Sequence, residues 1–151
     1  KSGQTMGQLT LKILENPEWD LMHERLLMVM HKDHPDHVTD ELVDIRMALY
    51  SRPDTNDGMT RYYQYTSSRG GGSRYEHPFE DEQKDQLGKF PVLVLGSEWS
   101  GIAGPQPLES PPGLIPGAQF EVLMGTGIWS HWEAPDEFNE SVRKFIMGGQ
   151  K

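Results

Sequence analysis

The first half of the chain has the hydrophobic pattern of amphipathic helices. Apolar residues recur every three or four positions in two segments, first at Trp19, Met22, Leu26 and Met30 and again at Leu42, Ile45 and Leu49. Asn16 and Pro17 predict the start of the first helix, with Asn16 as the N-cap, and Thr39 predicts the N-cap of the second. Pro35 breaks the helical pattern between them and Pro53 ends it. Two helices are therefore predicted up to Arg52, and the tyrosines at 62, 63 and 65 predict a further short helix.

The pattern changes to that of strands after residue 90. The run FPVLVLG is continuously apolar and short, which is typical of a strand buried on both faces in a parallel sheet. A second strand is predicted at QFEVLMGTG, and a short, proline-interrupted helical segment at 107–118 between the two. A final helix begins near Pro135, and its buried side is predicted to consist of Phe138, Val142, Phe145 and Ile146. The fold class predicted is α/β.

The same pattern divides the chain into three parts. A helical segment is predicted over 1–65, a flexible loop over 66–86 because of the sequence TSSRGGGSR, and an α/β segment over 87–151. Two strands do not make a stable doubly wound sheet alone. We therefore expect the sheet to be completed by residues or by a chain outside this sequence. Since the sequence does not begin with Met, we also expect it to start inside a longer gene product.

Charge and composition exclude several classes of partner. The net charge is −9, with 14 basic and 23 acidic residues, and these are spread along the chain. This argues against nucleic acid or an anionic membrane as a partner, and no apolar run is long enough for a membrane span. The absence of cysteine excludes disulfides, thiolate nucleophiles and cysteine metal sites. A cytoplasmic location is the simplest expectation.

The second half resembles the C-terminal part of the α/β-hydrolase fold. The resemblance rests on FPVLVLGSEWSGIAGP and LIPGAQFEVLMGTGIWSHWEAPDEFNESVRKFI and on the spacing between them. In that family the first strand is followed by the catalytic Asp and the second by Gly-x-Gly-His. Trp99 and Ile128 occupy those two positions here, and the Gly-x-Ser-x-Gly nucleophile elbow is absent. The resemblance therefore implies a fold whose hydrolytic triad is lost in this chain.

The first half adds a resemblance to a subfamily. The sequence RLLMVMHKDHPDHVTDELVDIRMALYSRP resembles the helical cap of the meta-cleavage product hydrolases, which cleave carbon–carbon bonds in vinylogous diketo acids. The resemblance implies that Arg46 binds the acid end of a ligand and that Trp129 lies near it. Trp99 and Ile128 would then line the same pocket. The alternative for Arg46 is an exposed helical arginine paired with Asp44 or another acid.

Two residues next to the missing triad positions are weak candidates to replace them. Glu98 precedes the acid position by one residue, and His131 follows the base position by three. The simpler interpretation is that Glu98 is solvated at a strand end and that His131 packs or caps locally. Likewise, the histidines and aspartates of HKDHPDH (31–37) contain metal-ligand types, but a polar loop between helices explains them. No metal and no cofactor are expected.

Two functional hypotheses remain open at this point. The first is an α/β-hydrolase-like protein that binds a hydrophobic, acidic small molecule between cap and core, with chemistry that has diverged or is supplied by a partner chain. The second is a catalytically inactive pseudoenzyme that acts as a scaffolding subunit of a heteromeric complex. In both, the expected partner is the N-terminal α/β-hydrolase half, as a separate chain or as a missing segment. Whether the chain is an enzyme is left undecided.

Overall fold

The computed structural model describes residues 5–68, 81–100, 104–106, 108–109 and 115–148. Helices and short strands follow one another in these residues, with the helices concentrated in the first half. The helices are α1 (Met6–Glu15), α2 (Trp19–Leu27), α3 (Asp40–Tyr50), α4 (Pro53–Ser68), α5 (Asp81–Leu87), α6 (Ser130–Glu133) and α7 (Pro135–Gly148), and a 3₁₀ turn spans Pro35–His37. The strands are β1 (Leu93–Ser97), β2 (Trp99–Ser100), β3 (Gly104–Pro105) and β4 (Gln119–Leu123).

The helix starts agree only partly with the sequence signals. Thr39 caps α3 as predicted, because its side chain accepts a hydrogen bond from the backbone N–H of Leu42. The predicted role of Asn16 is wrong: it is the C-cap of α1, and Glu18 is the N-cap of α2. Helix α1, which the pattern did not predict, begins at a capping box in which Thr5 and Gln8 satisfy each other's backbone N–H groups.

The segment predicted to be a flexible loop is partly helical. Helix α4 continues to Ser68, and α5 covers 81–87, so the predicted loop boundaries at 66 and 86 both fall within helices. Residues 69–80, which include the Gly-rich sequence, lie outside the described residues. Asn56 fastens α4 to α1 by donating a hydrogen bond to the backbone oxygen of Leu14 at 2.8 Å.

The hydrophobic core lies in the helical half, which we define as α1 to α4. Helix α1 packs against α2 and α4, and α2 packs against α3. The buried side chains of this core all come from residues 9–50, namely Leu9, Ile13, Leu14, Met22, Leu26, Val29, Met30, Val38, Leu42, Val43 and Tyr50. Among the residues that the structure describes, no helix is both long and apolar enough to cross a membrane.

Strands β1 and β4 pair in parallel, as predicted. Their register places Leu93 beside Gln119 and Ser97 beside Leu123, so both strands end at the same edge of the sheet. Strands β2 and β3 form a separate antiparallel pair. Within the described part of 107–118, which is 108–109 and 115–118, there is a bend at 108–109 and a turn at 116–117 and no helix; the remaining residues of the predicted helical segment lie outside the described ranges. The described chain is thus a mixed α/β structure.

The prediction that β1 is buried on both faces is wrong for this chain. All five of its residues are only half-buried, because its one partner strand in the described residues is β4. Helix α7 lies over one face, and between them is an open apolar groove of about 440 Å³ lined by Leu93, Leu95, Phe138, Val142, Phe145 and Ile146. The predicted buried side of α7 is therefore correctly placed toward the sheet, but it is incompletely covered, and Ile146 is 60% exposed.

Candidate functional site

Four of the predicted site residues, Glu98, Trp99, Ile128 and Trp129, lie on two segments that follow the carboxyl ends of β1 and β4, whereas Arg46 lies on α3 and His131 on α6. We call these segments the strand-end turns; they are residues 98–100, which include the two-residue strand β2, and residues 124–129. They are held side by side by a backbone hydrogen bond of 3.0 Å from Trp99 N–H to the oxygen of Thr126. Parallel pairing of β1 and β4 brings the turns to one edge of the sheet, which is where open α/β sheets commonly bind ligands. The structure thus brings Trp99 and Trp129 into the same region.

The second strand-end turn lies directly on the backbone of the helical half. The N–H of Ile128 donates to the oxygen of Val29 at 2.8 Å. Gly127 makes this approach possible, since an added Cβ there would lie 2.5 Å from the Val29 oxygen and 2.6 Å from the His31 nitrogen. Ile128 itself is 43% exposed. Its backbone therefore joins the two halves, while its side chain does not supply any proton acceptor.

Arg46 and Trp129 are brought together, as the resemblance implies. The guanidinium carbon of Arg46 lies 5.0 Å from the centre of the Trp129 ring and 5.4 Å from that of Tyr50, distances typical of cation–π contacts. Its Nε atom is buried without a hydrogen-bond partner. Asp44, the alternative partner, instead accepts a hydrogen bond from Trp19. Within the described part of the chain, no carboxylate pairs with Arg46.

Trp99 also carries a cation on its ring. The Nζ atom of Lys32 lies 5.3 Å from the ring centre, and the ring of His31 meets Trp99 edge-on. Lys32 forms an ion pair with Asp33. The hydrogen bond from Lys32 lowers the pKa of Asp33 below its usual range. Each tryptophan that follows a strand is therefore paired with a basic side chain from the helical half.

Glu98 and His131 do not form a substitute acid–base pair. Glu98 accepts a hydrogen bond of 2.6 Å from the N–H of Gly125, so it fastens the neighbouring turn and is not simply solvated. His131 is exposed and contacts the rings of Trp129 and Phe138, which agrees with local packing. Among the described residues, these two side chains share no hydrogen bond with each other.

Glu133 is the polar residue that the sequence interpretation missed. Its side chain is completely buried. It accepts hydrogen bonds from the backbone N–H of His31 at 2.7 Å and from that of Gly127, and it lies 3.4 Å from Nδ1 of His37. The adjacent Trp132 donates from its indole to the oxygen of His37. One carboxylate thus fixes both a strand-end turn and the loop between α2 and α3.

The three histidine rings of the loop are in contact in sequence, with His31 tilted against His34 and His34 stacked on His37. The centres of His31 and His34 are 5.3 Å apart, and those of His34 and His37 are 5.0 Å apart. The described residues contain no group of three or more histidine, aspartate or glutamate side chains placed to hold a metal ion. The stacking and the contact with Glu133 account for these residues as a loop packed against the strand-end turns.

Comparisons with known proteins add no assignment. No protein-family model matches the chain, and no curated protein matches it. The function must therefore be argued from the site itself.

Proposed function

We propose that this protein binds a hydrophobic, acidic small molecule between the helical half and the strand-end turns. The observation that carries the proposal is the position of Arg46 against Trp129, with a buried Nε that has no partner. A guanidinium supplies the charge and the hydrogen-bond donors that bind a carboxylate, and the indole face supplies apolar contact area for the rest of the ligand. The α/β-hydrolase resemblance, with its acid-binding cap arginine, is consistent with this arrangement.

The charge distribution supports an anionic ligand. The chain as a whole is acidic, at −9, so an anion is repelled from most of its surface. Lys32 on Trp99 is paired with Asp33, whereas Arg46 on Trp129 has no acidic partner among the described residues, so the region of net positive charge is at Arg46. Such a region attracts an anion and orients it with its charged end toward the helical half.

The chemistry of this chain does not follow the hydrolytic route. Ile128 cannot accept a proton, and Trp99 cannot orient an imidazolium. These two positions therefore do not supply the general base and the orienting acid of a Ser-His-Asp mechanism. We propose that the ligand is bound without hydrolysis by this chain, and that any reaction has diverged or depends on residues of a partner. The part assigned to Arg46 and Trp129 is binding and orientation.

Replacing Arg46 tests the proposal. With sodium benzoate as the probe, we expect Arg46→Gln to weaken binding more than tenfold in isothermal titration calorimetry, because a charge-assisted hydrogen bond is lost. Benzamide, which has the same ring without the charge, should bind the two proteins equally weakly. Arg52→Gln is the matched control, since Arg52 is exposed and paired with Asp54. Equal benzoate affinity in wild type and Arg46→Gln would refute the assignment.

A second candidate function, that of a sheet-completing scaffolding subunit, is favoured by the half-buried β1. Beside this strand is the apolar groove formed with α7. An unpaired strand edge next to an apolar surface is a typical site for strand addition. We propose as the partner the remaining strands of an α/β-hydrolase sheet, carried either by a separate chain or by a further segment of the same polypeptide.

The association state of the chain tests this second candidate. Without its partner, we expect the 17.2 kDa chain to self-associate in native mass spectrometry at micromolar concentration. Placing charges in the groove with Val142→Asp and Phe145→Asp should remove that association, whereas Arg143→Asp, on the exposed side of α7, should leave it unchanged. A wild-type monomer that unfolds cooperatively would count against an incomplete sheet.

A further inference from the structure

Three buried polar atoms without a hydrogen-bond partner lie around one ring in the helical half. They are Nη1 of Arg25, Nε of Arg46 and the hydroxyl of Tyr50, and they are the only such side-chain atoms among the residues described. The guanidinium carbons of Arg25 and Arg46 lie 5.6 Å and 5.4 Å from the centre of the Tyr50 ring. A buried donor without a partner is costly, so three such atoms around one ring are unusual in a folded protein.

Arg25 is the most constrained member of the cluster. It is only 5% exposed. Its Nε donates to the hydroxyl of Thr10 at 2.8 Å and its Nη2 to that of Tyr63 at 3.4 Å. Both acceptors are neutral, and the third side of the guanidinium is left with Nη1 unpaired. The hydrogen bonds that Arg25 donates to Thr10 of α1 and Tyr63 of α4 thus hold its guanidinium in a fixed orientation. They do not neutralise its charge.

The missing counter-charge distinguishes this arginine from an ordinary buried ion pair. A buried guanidinium normally faces a carboxylate, because an isolated charge in the protein interior is strongly unfavourable. The chain has nine more acidic than basic residues (23 against 14), yet the ion pairs in the described residues all involve other side chains. Neither Arg25 nor its neighbour Arg46 is matched by an acid there.

We propose that Nη1 of Arg25 and the hydroxyl of Tyr50 bind a small anion, a carboxylate or an inorganic oxyanion, inside the helical half. Both groups are donors, and both belong to residues that are at least nine-tenths buried. Arg46, whose guanidinium also contacts the Tyr50 ring, adds a second positive charge. The anion neutralises the buried guanidinium and satisfies donors from α2 and α3. The donors of this site are Nη1 of Arg25 and the hydroxyl of Tyr50, whereas the unpartnered Nε of Arg46 belongs to the ligand proposed above; the two sites therefore share only the charge of Arg46.

Thermal unfolding at constant ionic strength and pH 7 tests the site. The protein is dialysed into a buffer of large organic ions and titrated with sodium phosphate or with sodium acetate. We expect a saturable rise in Tm of roughly 5–10 °C at about a hundred times the Kd of the bound anion. Saturation with phosphate alone identifies an inorganic oxyanion site, and saturation with acetate identifies a carboxylate site; either result supports the proposal.

Variants separate specific binding from the general stabilising effect of salts. Tyr50→Phe removes only the hydroxyl and should weaken the anion response about tenfold. Arg25→Met should lose the saturable response. It should also unfold at least as high as wild type in anion-free buffer, since an unpaired buried charge is replaced by an apolar side chain of similar length. Arg52→Gln should respond as wild type does.

Two outcomes would overturn the site. One is a Tm that rises linearly and equally in wild type, Tyr50→Phe and Arg25→Met, which is the behaviour of salts excluded from the protein surface. The other is an Arg25→Met protein that is less stable than wild type while neither anion produces saturation, which would make Arg25 a purely structural residue. Arg25→Met and Tyr50→Phe leave Arg46 and Trp129 in place, so benzoate titration of these two variants distinguishes a failure of this site from a failure of the site at Trp129.

Discussion

Gly127→Ala should destabilise the protein by roughly 3 kcal/mol or more, measured as the free energy of unfolding in urea. Gly127 is not in the left-handed backbone region, since the positive-φ glycines of the described residues are Gly104, Gly117 and Gly125. The constraint is therefore steric. An added Cβ would meet the carbonyl carbon of Met30, the oxygen of Val29 and the nitrogen of His31, all of which are backbone atoms that cannot turn away.

The consequence would spread from the turn to the contact between the two halves. To accommodate the methyl group, the turn must move off the helical half, and the hydrogen bond from Ile128 to Val29 would lengthen or break. Gly58→Ala is the matched control. It lies within α4 with nothing near an added Cβ, so it should raise the unfolding free energy by about 0.5–1 kcal/mol. A loss below about 1 kcal/mol in Gly127→Ala would show that the turn can move freely.

Local sequence signals predicted the elements that depend on local physics. Thr39 caps α3 because a threonine hydroxyl can reach the N–H three residues on. The parallel pairing of β1 with β4 followed from a short apolar run ahead of a second strand. The structure places Arg46 against Trp129, while the ligand-binding roles that the resemblance implies for these two residues remain predictions.

The signals failed where long-range contacts decide the outcome. Asn16 has the features of an N-cap, but the preceding helix, whose core residues Leu9 and Ile13 are fully packed, extends to Glu15 and makes Asn16 its C-cap. The burial of β1 depends on strands that the described residues do not supply. Arg25 gives a further example, because an arginine two residues before the end of a helix normally suggests an exposed position, and only the tertiary structure shows that it is enclosed.

The burial of Glu133 could not be predicted either, because nothing in its local sequence distinguishes a buried hydrogen-bond acceptor from a surface acid. Glu133 is followed by Ala134 and Pro135, and the short helix that contains it predicts exposure as readily as burial. Its role comes from partners about a hundred positions earlier, His31 and His37. A carboxylate that accepts hydrogen bonds from the backbone N–H groups of two separate segments holds those segments together.

Removal of this carboxylate is expected to have the second large effect. Glu133→Ala should lower the free energy of unfolding by about 2–5 kcal/mol in urea denaturation, because the N–H groups of His31 and Gly127 would lose a charged acceptor at a site that excludes water. Glu133→Gln retains one acceptor oxygen and should lose about half as much. Glu137→Ala, an exposed acid in the first turn of α7, is the matched control and should cost less than about 1 kcal/mol. A loss in Glu133→Ala no larger than that of the control would show that the buried carboxylate does not stabilise the junction.

Combining the two substitutions shows whether they act on one structure. Gly127 contributes both the close approach to the helical half and an N–H that Glu133 accepts. If the turn is already displaced in Gly127→Ala, the hydrogen bond from Gly127 to Glu133 is already weakened. Removing the carboxylate then costs less, so the double variant should be destabilised by clearly less than the sum of the two single losses. Strict additivity would mean that the turn and the carboxylate hold the two halves independently. A shared loss would identify the junction as one cooperative unit, and the position of Trp129 against Arg46 would then depend on it.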